Sequence, residues 1–227
     1  MNETELSITG VLCYNNANRK GRGNMGYVIA TVMGYLIGSS NMAYWISKIK
    51  NVDIRGNGSG NLGASNATVL LGWGAGVLVA LHDIGKALVA VLAAKWLFPE
   101  LEYAGAAAGV AAVLGHIFPF YLRFKGGKGL ASFVGMILGL NWKVALGVMA
   151  LVLVLTLVTD YISVGAMSCV VVAPIGIWLD GGGVILPLII SVASVVMLWK
   201  HRENIVRIRN HTEIGLRSTA KGEKRIK

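Results

Sequence analysis

The stretch that decides the fold is VALGVMALVLVLTLVT, residues 144–159, which carries no charge and is bounded by Lys143 and Asp160. As a helix it rises about 24 Å, near the ~30 Å apolar thickness of a bilayer. Two similar blocks follow it, Tyr161 to Leu179 and Val184 to Trp199. Upstream lie four more candidate spans: Gly26 to Ile46, Val69 to Phe98, Tyr103 to Leu122 and Leu130 to Trp142. Composition agrees. Of 227 residues, 55% are hydrophobic and 14% charged, with a mean hydropathy of +0.63. A soluble domain of this length needs more charge to cover its surface. The pattern predicts an all-α, polytopic membrane protein of about seven transmembrane helices.

The fourth span is short: thirteen residues rise only about 20 Å. It is either a tilted span or a re-entrant hairpin, and a hairpin reverses the parity of everything downstream. With seven spans, one side holds the linker Ser47 to Thr68, the loop Arg123 to Gly129 and the tail from Lys200, with three, three and nine basic residues. The opposite loops hold Lys143 alone against Glu100, Glu102 and Asp180. The positive-inside bias puts the tail in the cytoplasm and the N-terminus outside, although Arg19, Lys20 and Arg22 then lie on the outer side. The chain divides into a polar extension (1–25), a transmembrane domain (26–200) and a basic tail (201–227).

The formal net charge of +10 does not point to nucleic acid, because the cations sit in short loops and in the tail beside a membrane span. Cys13 and Cys169 lack metal-ligand spacing and imply no disulfide framework. No metal or cofactor is expected.

Three motifs carry chemistry. Gly56-Asn-Gly-Ser-Gly-Asn-Leu-Gly-Ala-Ser-Asn66 has the glycine density that lets successive N–H groups form an anion-binding concavity. Ser59, Asn61 and Asn66 add side-chain donors, and a helix starting near Ala67 aims its positive end there. The bland alternative is a flexible loop with a helix cap. Gly115-His-Ile-Phe-Pro119 leads into Arg123-Phe-Lys-Gly-Gly-Lys-Gly129. Its spacing is not that of a P-loop, yet Gly126, Gly127 and Gly129 permit close backbone approach and Lys125 or Lys128 supplies charge. Plain helix-end anchoring by Lys and Arg is the alternative. His201 and Asn204 share one helical face just past the last span. Inside the second span, Asp83 and Lys86 are spaced to pair, either as a structural device or as part of the chemistry. Asp160, Tyr161 and Ser163 mark a further turn on the cytoplasmic side.

Some classes are excluded. No His has the Asp five positions later that many acyl-CoA-dependent acyltransferases use, and no Gly-x-Ser-x-Gly elbow occurs.

Together the motifs resemble the acyl-phosphate:glycerol-3-phosphate acyltransferase family of bacterial inner membranes. The resemblance rests on Asp53-Ile-Arg55 with Gly58-Ser-Gly-Asn-x-Gly-Ala-x-Asn66, on Asp83-x-x-Lys86 and on Gly115-His-x-Phe-Pro119. It extends through Phe124-Lys-Gly-Gly-Lys-Gly-x-Ala131 and His201-Arg-x-Asn-Ile205, in register from about Gly34 to Asn210. It implies seven helices, a site on the cytoplasmic side, and acyl transfer from acyl phosphate to the 1-hydroxyl of glycerol 3-phosphate, giving lysophosphatidic acid. Membrane lipid and these two substrates are the implied partners. Residues at the positions of Ser59, Lys128, His201 and Asn204 contact the phosphorylated substrates in that family. The candidate substrate-binding set is Ser59, Gly60, Asn61, Asn66, Gly126, Gly127, Lys128, Ser163, His201 and Asn204, with Lys128 and His201 as candidate catalytic residues. Two positions depart from the family: Val69 stands where it usually has Arg, and Ala166 where it usually has Ser. They leave a different phosphorylated acceptor open. A small transporter is the non-enzymatic alternative, but mid-membrane polarity is concentrated on one span and no two halves match.

Overall fold

The computed structural model describes residues 23–220, and the regular elements among them are all helical. Helix α1 covers residues 23–39. It is followed by α2 (Met42–Ile49), α3 (Ala64–Leu71), α4 (Trp73–Leu97), α5 (Ala104–Ile117), α6 (Leu130–Leu140), α7 (Trp142–Thr159), α8 (Ile162–Leu179), α9 (Ile185–Lys200), α10 (Arg202–Arg209) and α11 (Leu216–Ala220). The expected polar extension lies outside the described residues except for 23–25, which open α1.

Among the described residues four segments are long and apolar enough to cross a membrane: Trp73–Leu97, Ala104–Leu122, Trp142–Thr159 and Ile162–Leu179. A fifth results if α9 and α10, bent by 42°, count as one. Two predicted spans contain breaks. Ser40 closes α1 by donating its hydroxyl to the Ile37 carbonyl at 2.9 Å, and extended Asn41 caps α2 by accepting from the Tyr44 N–H at 2.9 Å. Gly72, at φ 94°, folds α3 back along α4, where Thr68 packs against Gly76. The region read as a linker is therefore partly helical, and α6 is shorter still than its predicted span.

The bundle is organised around α5, twelve of whose fourteen residues are buried. Its Gly- and Ala-rich surface admits neighbouring backbones. A Cβ at Gly34 or Gly38 of α1 would lie 2.2 and 2.0 Å from the carbonyl oxygens of Ala108 and Ala112. Such small-residue contacts are how helices associate in lipid, where apolar burial gives little drive. The outer surface is apolar instead: α7 turns Leu146, Met149, Leu153, Val154, Leu157 and Val158 outward. All six tryptophans are at least 53% exposed, and five of them lie within two residues of a helix end. That is the arrangement of interfacial aromatic belts. The protein is a multi-pass membrane protein.

Replacing Gly38 with Val forces α1 off α5 and should cost about 1–3 kcal/mol, the usual penalty of overpacking. Gly147→Ala on α7 adds a methyl group that meets nothing within 4 Å and should leave the thermal midpoint in detergent unchanged. Equal midpoints for the two variants would refute the packing argument.

Candidate anion-binding site at one end of the bundle

The first glycine motif is folded by its own side chains. Asp53 Oδ1 accepts from the N–H groups of Arg55 and Gly56 at 3.2 and 3.1 Å. Buried Asn66 accepts from the Ser59 N–H at 3.0 Å and donates to the Ile54 carbonyl at 3.0 Å, tying the loop to the start of α3. Gly58 sits at φ +61°, where a Cβ would also strike Asn66 Oδ1. Asn66 is thus a loop-holding residue with its amide fully engaged. Ser59 and Gly60 remain exposed, Asn61 is half-buried, and the Ser59 hydroxyl makes no hydrogen bond among the described residues.

The second motif docks on the end of α5. The N–H groups of Gly126 and Gly127 donate to the Ile117 and His116 carbonyls at 3.0 and 3.1 Å. Both glycines are required there, since a Cβ on Gly126 would lie 2.0 Å from the His116 carbonyl oxygen and one on Gly127 2.0 Å from His116 Nε2. Their N–H groups are therefore occupied, and the unpaired donors of this segment begin at Lys128 and continue into the first turn of α6. A helix N-terminus with a lysine beside it favours an anion. Arg55 braces the two loops together through the Leu122 carbonyl at 3.4 Å.

The third group comes from the end of α9 and beyond. Lys128 Nζ donates to Asn204 Oδ1. Asn204 Nδ2 donates to Glu213 Oε1 at 2.5 Å, and the Ser163 hydroxyl donates to the same oxygen at 3.0 Å. Arg207 Nε donates to Glu213 Oε2 at 2.6 Å. His201 is buried, and its Nδ1–H donates to the Met197 carbonyl at 2.7 Å, which leaves Nε2 as an acceptor. The segment after α10 is held over the α7–α8 turn: the Leu216 N–H donates to the Asp160 carbonyl and the Arg217 N–H to Asp160 Oδ1, both at 2.8 Å.

Lys128, Ser163 and Asn204 are therefore joined through Asn204 and Glu213, His201 lies within the electrostatic reach of Lys128, Glu213 and Arg207, and Gly126 and Gly127 frame Lys128. Ser59, Gly60, Asn61 and Asn66 belong to the adjoining loop and make no direct contact with that group. Glu213 and Arg207, which join the cluster, were not singled out in the sequence. The available signal was slight, one of three glutamates scattered through a basic tail, twelve residues after His201. Burial lowers the Lys128 pKa to about 8, helped by the Arg207 charge and opposed by Glu213.

Apolar helices belted by tryptophan, with a glycine-framed cationic cluster at one end, define a membrane-embedded protein built to meet a small anion. A family model described as Glycerol-3-phosphate acyltransferase matches residues 28–211. A glycerol-3-phosphate acyltransferase of Coxiella burnetii is 38% identical over 191 residues, 83% of this chain and 97% of that one. Glycerol-3-phosphate acyltransferase 1 of Oceanobacillus iheyensis is 35% identical over 202 residues, 86% and 97% of the two chains. The crystal structure of PlsY (YgiH), an integral membrane glycerol 3-phosphate acyltransferase, in its glycerol 3-phosphate form superposes with a TM-score of 0.81 at 32% identity, covering 86% of this chain and 98% of that one. The chain belongs to the glycerol-3-phosphate acyltransferase family.

A lysine whose pKa lies near 8 is a cation below that pH and neutral above it. Binding of inorganic phosphate should therefore weaken as pH rises past about 8, approaching tenfold per unit, while Lys128→Arg should flatten the decline. Calorimetric titration across that range checks this, and a flat wild-type profile would exclude Lys128 as the anion's counter-charge.

Proposed function

We propose that this protein transfers a fatty acyl group from an acyl phosphate to the 1-hydroxyl of glycerol 3-phosphate, releasing lysophosphatidic acid and inorganic phosphate. The observation that carries the reading is the convergence of Lys128, Ser163, His201 and Asn204 at one end of an apolar bundle in a chain of this family. The seven apolar helices α1 and α4–α9 are the spans. The basic tail lies in the cytoplasm, and the site opens to the cytoplasmic face of a bacterial inner membrane. The positive-inside distribution of the loops supports this orientation.

An acyl phosphate is already activated, so the site needs to position groups rather than supply covalent chemistry. Lys128 and the first turn of α6 hold the donor phosphate. The loop of Ser59, Gly60 and Asn61, shaped by Asn66, holds the second phosphate with the start of α3. His201 Nε2 and Asn204 orient the glycerol hydroxyl towards the acyl carbon, and the chain lies along the apolar helices. The ester C–O bond forms as the acyl C–O(P) bond breaks, and the hydroxyl proton passes to the departing phosphate or to His201 Nε2. Backbone and ammonium donors stabilise the oxyanion.

A second reading keeps the donor and changes the acceptor. It is favoured by Val69 and Ala166, neither of which offers the charge or hydroxyl that the family usually has there. The transporter reading loses its basis, because Asp83 and Lys86 are consumed in one buried knot.

The experiment is acyl transfer from a long-chain acyl phosphate by purified protein to labelled glycerol 3-phosphate and to a panel of other phosphorylated polyols. Lys128→Ala should lower kcat/KM roughly 10- to 150-fold, the loss of one charged hydrogen bond of about 1.5–3 kcal/mol. Undiminished turnover in that variant would end the proposal, and preference for another polyol would establish the second reading.

A further inference from the structure

Three ionisable side chains that the proposed chemistry leaves unused meet inside the bundle. Asp83 and Lys86 lie one turn apart on α4, and His116 stands in the last turn of α5; their exposures are 2%, 6% and 3%. Lys86 Nζ lies 2.7 Å from Asp83 Oδ1, 2.7 Å from the Ser40 carbonyl oxygen and 2.9 Å from His116 Nδ1. An ammonium has three hydrogens and accepts none. Three acceptors at these distances use all of them. His116 Nδ1 is then the lone-pair nitrogen, and the ring proton sits on Nε2. Asp83 Oδ1 also lies 3.3 Å from Nδ1, but a proton on Nδ1 would point at the ammonium as well. His82 Nδ1 approaches the same carboxylate oxygen at 3.4 Å.

The other edge of the ring faces the loop. Gly127 packs on Nε2 so closely that no side chain fits there, and its N–H donates to the His116 carbonyl at 3.1 Å. Nε2 has no hydrogen-bond partner among the described residues. Nor is it sealed in, since the fully buried side-chain atoms without a partner among the described residues are Ser132 Oγ and Thr156 Oγ1, so Nε2 stays open to an approaching acceptor. Here the next residue after Gly127 is Lys128.

We propose that His116 is a further anion-binding residue of the Lys128 loop, donating its Nε2–H to the bound phosphate, with Asp83 and Lys86 as the positioning residues that place its proton. The assignment rests on reading Lys128 and the first turn of α6 as the segment that holds the donor phosphate. The ion pair fixes the tautomer from the membrane side. A neutral donor adds a directed hydrogen bond beside Lys128 without adding a second charge that would repel it.

Full-length protein labelled with 15N-histidine in lipid nanodiscs reads the tautomer directly, with His116 assigned by its loss in His116→Gln. Nε2 should be protonated and Nδ1 bare, and Lys86→Met should shift the ring towards a mixture. A long-chain acyl phosphonate, which cannot transfer its chain, should move the Nε2–H resonance downfield. A proton on Nδ1 in the wild type overturns the proposal. So does an acyl phosphonate that binds by calorimetry without moving Nε2–H; failure to bind at all removes the underlying reading as well. In kinetics, His116→Gln, whose amide nitrogen overlays Nε2, should keep the KM for acyl phosphate within about threefold. His116→Asn, whose amide overlays Nδ1, should raise it at least about tenfold, with the KM for glycerol 3-phosphate held in both. Equal effects of Gln and Asn, or a parallel rise in both KM values, would mark a structural role and overturn the proposal. Binding with the expected shift but no acyl transfer would support the His116 assignment while removing the acyltransferase reading.

Discussion

The closeness with which other helices approach α5 governs the rest of the molecule. In lipid, helices gain little by hiding apolar side chains from one another, so contact has to come from backbones that can touch. Gly34 and Gly38 supply this on the α1 side, against Ala108 and Ala112, and Gly109 does so where Met136 of α6 and Val91 of α4 press in. The last turn of α5 is thereby fixed in depth and rotation. Gly126 and Gly127 then hydrogen-bond to that turn, so Lys128 takes its position from packing inside the bundle rather than from its own loop. The Tyr35 hydroxyl adds a link from α1 to the Phe118 carbonyl at 2.7 Å.

Gathering cations at one place raises a second problem, because Lys128 and Arg207 repel each other. The repulsion is met by Glu213, a carboxylate from beyond α10 with 8% of its side chain exposed. It accepts from Ser163, Asn204 and Arg207 together, and Asn204 in turn fixes Lys128. Donors from the loop after α5, from α8 and from α10 are cross-braced through one acid before any ligand arrives. This is pre-organisation: little reorientation remains to be made when charge develops. The segment that delivers Glu213 is itself held by Asp160, a residue in the left-handed region at the α7–α8 turn.

Hydropathy made the helical class legible, since blocks such as 144–159 have no other stable home. It did not reveal the breaks at Ser40 and Gly72, because both fall in runs that are apolar on either side, and a turn is decided by backbone capping and φ rather than by side-chain transfer energy. The glycine and lysine motifs marked the loops that the structure gathers at one end of the bundle, but what each glycine does was not readable. Gly126 and Gly127 carry the composition of a phosphate cradle, yet their N–H groups are used to dock the loop, and the open donors start one residue later. Asn66 looked like a ligand-binding amide and proves to be bound to its own loop. Glu213 carries no local signal, because its role depends on a chain reversal that no local periodicity encodes.

The same geometry gives physical content to the two departures from the family pattern. Val69 is on α3, and Lys50, which reaches the end of that helix, is engaged with the Leu71 carbonyl at 3.0 Å. Arg55 is turned to the Leu122 carbonyl. In the loop of Ser59 to Asn61 the Ser59 and Gly60 N–H groups are taken up by Asn66 and the Asn57 carbonyl, which leaves the Ser59 hydroxyl and the Asn61 N–H as its open donors, whereas Lys128 and Arg207 stand together on the other side. Ala166 is buried one turn along α8 from Ser163, so the missing hydroxyl also falls on that cationic side, where Asn204 and Glu213 already fill the bonding. The two halves of the site are electrostatically unequal. Charge is concentrated on the Lys128 side, and the open donors on the Ser59 side are neutral.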